Sequence, residues 1–204
     1  MNLYLMTFAR KASEFAHFAT VGTWKERGYC PHCTSVGAEI VAPLLMEWEP
    51  GSENIGDFSW DLGYVFVAKG RVRRELASIE FGLSFFPVRH VPYSEKRYRS
   101  KPRVAVPYKG EPLYWAVPKV FLPLNEKKSR VKMEERCTVC GYTKKTFRKS
   151  SIVIDGPDWH GENVFRISQN GNSQASFVTE TGMTILSEAK YTNLRFLKAG
   201  KIAN

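Results

Sequence analysis

The alternation of apolar and polar residues predicts strands along most of this chain, with helical spacing in two places. NLYLMTF (2–8) reads as an opening strand. AEIVAPLLMEW (38–48) is a buried segment in which Pro43 marks an edge or a break. EPGSENIGD (49–57) is loop by composition, and FSWDLGYVFVA then reads as one strand ending near Lys69. Over residues 69–80 Val72, Leu76 and Ile79 share one face at i, i+4, i+7, which predicts a helix. FGLSFFPVRHV continues as a strand limited by Pro87 and Pro92, and LYWAVPKVFLPL reads as an edge strand because of its prolines. Near the C-terminus, SIVI, VFRIS and ASFVT are short strands. GPDWHGEN and QNGNSQ are turn-like. TETGMTILSEAKY is a short helix capped by Thr179 or Thr181, and NLRFLKAGKI is a closing strand. No internal repeat is visible beyond a recurring cysteine pair.

These elements predict an α+β protein with a mostly antiparallel sheet and few helices. Residues 1–150 are expected to form the larger, metal-clamped part. Residues 151–204 would be a β-β-α-β subdomain packed on it within one globular unit. A chain of 204 residues with 43% hydrophobic residues can bury a sizeable core, which argues against disorder. No stretch approaches the ~20 apolar residues of a membrane helix. Arg10, Lys11 and Glu14 interrupt the N-terminal apolar residues, making a poor secretory signal, so the expected compartment is the cytoplasm.

Four cysteines occur as two CxxC pairs, Cys30/Cys33 and Cys137/Cys140. Two intervening residues let both sulfurs of a pair face one ion across a tight turn. Four thiolates satisfy Zn²⁺ with no water ligand, giving a structural and not a catalytic site. Gly141 follows Cys140, where such a turn favours a positive φ. About 100 residues separate the pairs, far more than in a compact zinc ribbon, so the metal would pin two distant parts of the chain. Redox chemistry is the alternative, but neither pair opens an amphipathic helix. Two disulfides would suit an oxidising compartment, and four unlinked thiols are the remaining reading.

Charge changes the picture more than composition does. Thirty Lys and Arg against twenty Asp and Glu give a net +10, which favours anionic partners. Residues 89–110 hold seven Lys or Arg, three Pro and three Tyr. Arg89, Lys96, Arg97, Arg99, Lys101 and Arg103 are candidate partner contacts. They could meet an acidic protein face, or phosphates with Tyr93, Tyr98 and Tyr108 stacking on bases. They could equally be a solvated strand edge protected from aggregation. A second basic stretch, 127–149, encloses Cys137 and Cys140. Asp158, His160 and Glu162 could do acid–base work or hold a second metal, although a polar turn explains them as well. No nucleophile elbow, phosphate loop, HExxH or dinucleotide fingerprint is present, so no enzyme activity is expected.

The order of features is an N-terminal strand, CPHC, GDFSW (56–60), a basic helix and strand, CTVCG, then VFR (164–166), VTE (178–180) and TNLRF (192–196). This layout resembles the double-CxxCG family of bacterial immunity proteins, best known from myxobacteria, although the first pair here is CPHCT. The resemblance implies a small cytosolic protein that neutralises a toxin of a polymorphic toxin system by binding it. It also implies one structural zinc on Cys30, Cys33, Cys137 and Cys140. The basic surface then predicts a toxin with an acidic contact face. The alternative is a zinc-ribbon-like nucleic-acid-binding or regulatory protein using residues 89–109. No membrane partner is expected.

Overall fold

The computed structural model describes residues 1–203 apart from 10–13, 22–23, 34–35, 62–64, 93–100, 147, 149 and 169–174. At 24–29, 36–39, 134, 144 and 168 it describes the backbone alone. Among the described residues are sixteen strands and two α-helices. The strands are β1 (Asn2–Thr7), β2 (Phe18–Thr20), β3 (Trp24–Tyr29), β4 (Val36–Ile40), β5 (Leu44–Trp48), β6 (Phe58–Asp61), β7 (Val65–Lys69) and β8 (Leu83–His90). They continue as β9 (Leu113–Pro118), β10 (Phe121–Pro123), β11 (Lys132–Arg136), β12 (Thr143–Thr146), β13 (Ile152–Asp155), β14 (Val164–Ser168), β15 (Ser176–Thr179) and β16 (Arg195–Ala203). The helices are α1 (Gly70–Ser78) and α2 (Glu180–Glu188). Strand content with only two helices agrees with an α+β class.

Two six-stranded sheets carry the fold, in the orders β10-β14-β15-β1-β16-β13 and β2-β5-β8-β9-β7-β6. Most neighbours are antiparallel; β10/β14, β13/β16 and β5/β8 are parallel. The period-two pleat sends alternate residues to opposite faces. Phe66 and Ala68 of β7 therefore enter one core, while Val65 and Val67 enter another. Likewise Met6 of β1 faces the first core and Leu3 and Leu5 face a third. The first core draws on both sheets and both helices, from Trp60 and Phe81 to Val164 and Leu186. Residues 151–204 thus share their sheet with β1 and β10 and their core with residues of the other sheet.

The two halves repeat one another. The run β5-β6-β7-α1-β8 with β9 is matched by β13-β14-β15-α2-β16 with β1. In space the orders are β6-β7-β9-β8-β5 and β14-β15-β1-β16-β13. In each, three antiparallel pairs are followed by one parallel pair. Both helices have nine residues and start on the residue after their strand. Both are followed by a left-handed residue, Glu80 at φ 50° and Lys190 at φ 52°. Lys69 N–H donates to Asp57 O (3.1 Å), and Thr179 N–H donates to Asn163 O (3.0 Å) in the corresponding place. This corrects the expectation of no repeat. Burial recurs at Leu76/Leu186 and Phe81/Tyr191, but residue identity mostly does not, because packing needs apolar volume at a position and not one side chain.

Local expectations differ in four further places. FSWDLGYVFVA is two strands, β6 and β7, paired from Phe58↔Ala68 to Asp61↔Val65. Ile79 is 50% exposed, outside the core that Val72 and Leu76 join. Pro87 lies within β8, where that strand changes partner from β9 (through Pro87↔Tyr114) to β5 (from Leu44↔Val88). β9 is central, not an edge, because its prolines sit at its margins; β10 is the edge strand. The caps of the helices also differ. Thr179 Oγ1 accepts from Gly182 N–H (3.1 Å), whereas the Lys69 side chain makes no cap. Glu111 supplies that acceptor to Arg71 N–H instead.

β16 is hemmed in at Gly200, opposite Ile152 on β13 and Leu3 on β1. A Cβ there would lie 1.8 Å from the Ile152 carbonyl oxygen. Backbone on a paired strand cannot retreat, so Gly200→Ala is expected to destabilise by about 2–3 kcal/mol or more. A urea midpoint equal to wild type would refute this.

Candidate metal centre

Each CxxC sits at the tip of a two-stranded hairpin. β3 and β4 close on Tyr29↔Val36, and Cys30 follows directly. β11 and β12 close on Arg136↔Thr143, and Cys137 follows directly. In the second tip, Cys137 N–H donates to Tyr142 O (2.7 Å) and Gly141 N–H donates to Cys137 O (3.0 Å). Gly141 takes φ 73°, the left-handed conformation such a turn needs, with open space around its Cα.

The two tips meet. The sulfurs of Cys30, Cys33, Cys137 and Cys140 all lie within 4.8 Å of one another. Cys30 Sγ is 3.8 Å from Cys137 Sγ, and Cys33 Sγ is 3.7 Å from Cys140 Sγ, each pair spanning 107 positions. A disulfide would need about 2.05 Å, so these separations are too long for disulfide bonds. A tetrahedron with metal–sulfur bonds of about 2.3 Å has edges of about 3.8 Å, which these separations match. Cys30 and Cys137 are buried, Cys33 is half-buried and Cys140 is exposed, so the site opens to solvent on one side.

Backbone amides support thiolate at the second tip. The Cys140 N–H and then the Val139 N–H hold the Cys137 thiol below its ordinary range, outweighing desolvation. At Cys140 the Tyr142 N–H acts the same way. Desolvation and the other three sulfurs outweigh it and push the thiol up to about 11. Four thiols this close cannot all ionise without a cation among them. Four soft donors and no vacant position suit a structural Zn²⁺, iron or Cu(I) ion.

Among the described residues, the four cysteines are the one such cluster of metal-ligating side chains. Asp158, His160 and Glu162 do not join into another. Glu162 accepts from the His160 N–H (2.8 Å), and Asp158 and His160 are exposed in a polar turn. His32 is exposed between its two cysteines. Of the basic candidates, Arg89 is exposed near the end of β8, Lys101 is exposed and Arg103 is half-buried. Lys96, Arg97 and Arg99 lie outside the described residues. Among the described residues, no helix is long and apolar enough to cross a membrane.

A buried polar lock between the halves was not foreseen from sequence. Asp57, 4% exposed, accepts from the Thr192 N–H (2.9 Å) and the Thr192 hydroxyl (3.0 Å), and pairs with Arg71 (2.7 Å). Asn193 donates to Phe58 O (2.9 Å), and Trp60 Nε1 donates to Asn193 O (2.8 Å). Tyr191 donates to Glu75 (2.6 Å), and burial together with that carboxylate holds its phenol well above the ordinary range. GDFSW and TNLRF therefore carry the two sides of one contact, although a single sequence cannot pair them. Compared with protein-family models and with curated proteins, the chain matches none.

Proposed function

We propose that this chain is an immunity protein that neutralises a cognate bacterial toxin by direct binding, with a structural Zn²⁺ on Cys30, Cys33, Cys137 and Cys140. The observation that carries the reading is the convergence of both CxxC motifs on one closed donor set. It makes the two motifs a single clamp, and with the C-terminal VFR, VTE and TNLRF they are the most specific parts of a likeness that rests on the layout of the whole chain. A closed tetrathiolate offers no position for substrate, so its part is to hold shape while a surface does the binding. A stable interface of ~1,600 Å² is within reach of a protein this size. The net charge of +10 suits a toxin with an acidic contact face and would speed its capture.

Co-expression with the adjacent gene tests this. The neighbour alone should kill, and survival should return when this protein is present. A harmless neighbour, or killing regardless, would overturn the reading. The positive charge also favours a nucleic-acid partner, and salt separates the two. Nucleic-acid affinity should fall linearly in log–log form, by about 0.9 per phosphate neutralised on a duplex. Toxin affinity held by a desolvated centre should change far less over 50–200 mM salt.

A further inference from the structure

The base of the second cysteine hairpin forms a cationic cleft of about 590 Å³ lined by Arg130, Lys132, Thr146, Arg148, Ser150 and Ser151. Three elements build it. Lys132 and Thr146 face each other as the last pair of β11 and β12. Arg130 is where the chain enters the hairpin, and Arg148, Ser150 and Ser151 lie where it leaves. The walls are held from behind. Ser151 Oγ donates to Ser129 O (3.1 Å) and to Arg148 O (2.8 Å), and the buried Ser129 hydroxyl accepts from Val153 N–H (2.9 Å).

Two nearby carboxylates are already engaged by other cations. Asp155 pairs with Lys128 (2.8 Å) and Glu126 with Lys145 (2.5 Å). Among the described residues, Arg130, Lys132 and Arg148 have no ion pair, all three are exposed, and no carboxylate lines the cleft. At the base of the first hairpin the last pair is Trp24↔Ile40, so among the described residues that pair brings no cation.

We propose that this cleft is a phosphate-binding site. Two guanidiniums give planar, forked donors that fit phosphate oxygens, one ammonium adds a point charge, and the Thr146 and Ser150 hydroxyls complete a donor-rich wall. Its volume lies in the range of small-ligand clefts, so it takes one or two phosphate groups of a phosphorylated compound or of a phosphodiester strand. The proposal does not rest on the immunity reading.

The test is calorimetric titration of the full-length, metal-loaded protein at low salt. The probes are inorganic pyrophosphate, a thymidine 12-mer and poly-glutamate. Pyrophosphate should bind, and Arg130→Gln/Arg148→Gln should weaken it about tenfold or more, with an unchanged melting temperature because both side chains are exposed. Lys198→Gln, an exposed charge on β16, should leave binding as in wild type. Pyrophosphate that displaces the 12-mer identifies a free phosphorylated compound as the source. A 12-mer that binds more tightly, with the same loss in the double variant, identifies a phosphodiester. No binding of either phosphate probe, an equal loss in Lys198→Gln, or tighter binding of poly-glutamate would overturn the proposal.

Discussion

Replacing Cys137 with serine is expected to release the metal and to lower stability by several kcal/mol. An ion that binds only the folded chain stabilises it by RT ln(1 + [M]/Kd), about 4 kcal/mol when free metal exceeds Kd a thousandfold. Wild-type stability should therefore climb by about 1.4 kcal/mol for each tenfold rise in buffered free Zn²⁺, and the variant should not respond. The loss should begin at the hairpins. Among the described residues β11 and β12 pair only with each other, as do β3 and β4, so neither hairpin is seen to join a main sheet. Chelation should accordingly speed proteolysis within 127–149 before the cores open. Denaturant curves in zinc-buffered solution, with metal content from native mass spectrometry, check this. A metal-free wild type that melts unchanged on chelation would end the zinc assignment.

Asp57→Ala should cost about 2–4 kcal/mol, the second largest loss expected. The substitution strips acceptors from the Thr192 N–H and hydroxyl and leaves Arg71 without its closest carboxylate. Arg71 is 41% exposed, so water recovers part of its share, which keeps the figure below that of a fully buried ion pair. Thr192 belongs to the turn before β16 and Asp57 to the entry of β6, so the change loosens the contact between the two sheets. The same carboxyl has a pH signature. Burial raises its pKa, but the Thr192 N–H and hydroxyl together with Arg71 outweigh burial and hold it below the usual aspartate range. Its contribution is then fully present above the unfolded-state value near 4 and is lost as pH falls through the lowered folded value. Wild-type stability should drop over that acidic window more steeply than that of Asp57→Ala. Parallel curves would show that Asp57 contributes nothing specific.

The alternation in NLYLMTF, VFRIS and SFVT was enough to place β1, β14 and β15, because a strand with buried faces writes its pleat into the residue order. Thr179 before Glu180, and Val72 with Leu76, likewise marked both helices through local capping and periodicity. The CxxC spacing announced a donor set able to hold a metal ion, since two ligands three positions apart are a local matter. FSWDLGYVFVA hid a hairpin because both of its strands are apolar. β9 looked like an edge because its prolines say nothing about which neighbours flank it.

What the sequence by itself determined is thus the set of elements and the chemistry each could bring. The tertiary structure alone decided how they meet. It seated β1 among the C-terminal strands, folded the two halves to one plan and set Asp57 against Thr192. It also brought Cys30 to Cys137 across 107 positions. Capping and pleating act over a few residues and leave a mark in local order, whereas strand neighbours and sulfur clusters are chosen by burial of the whole chain.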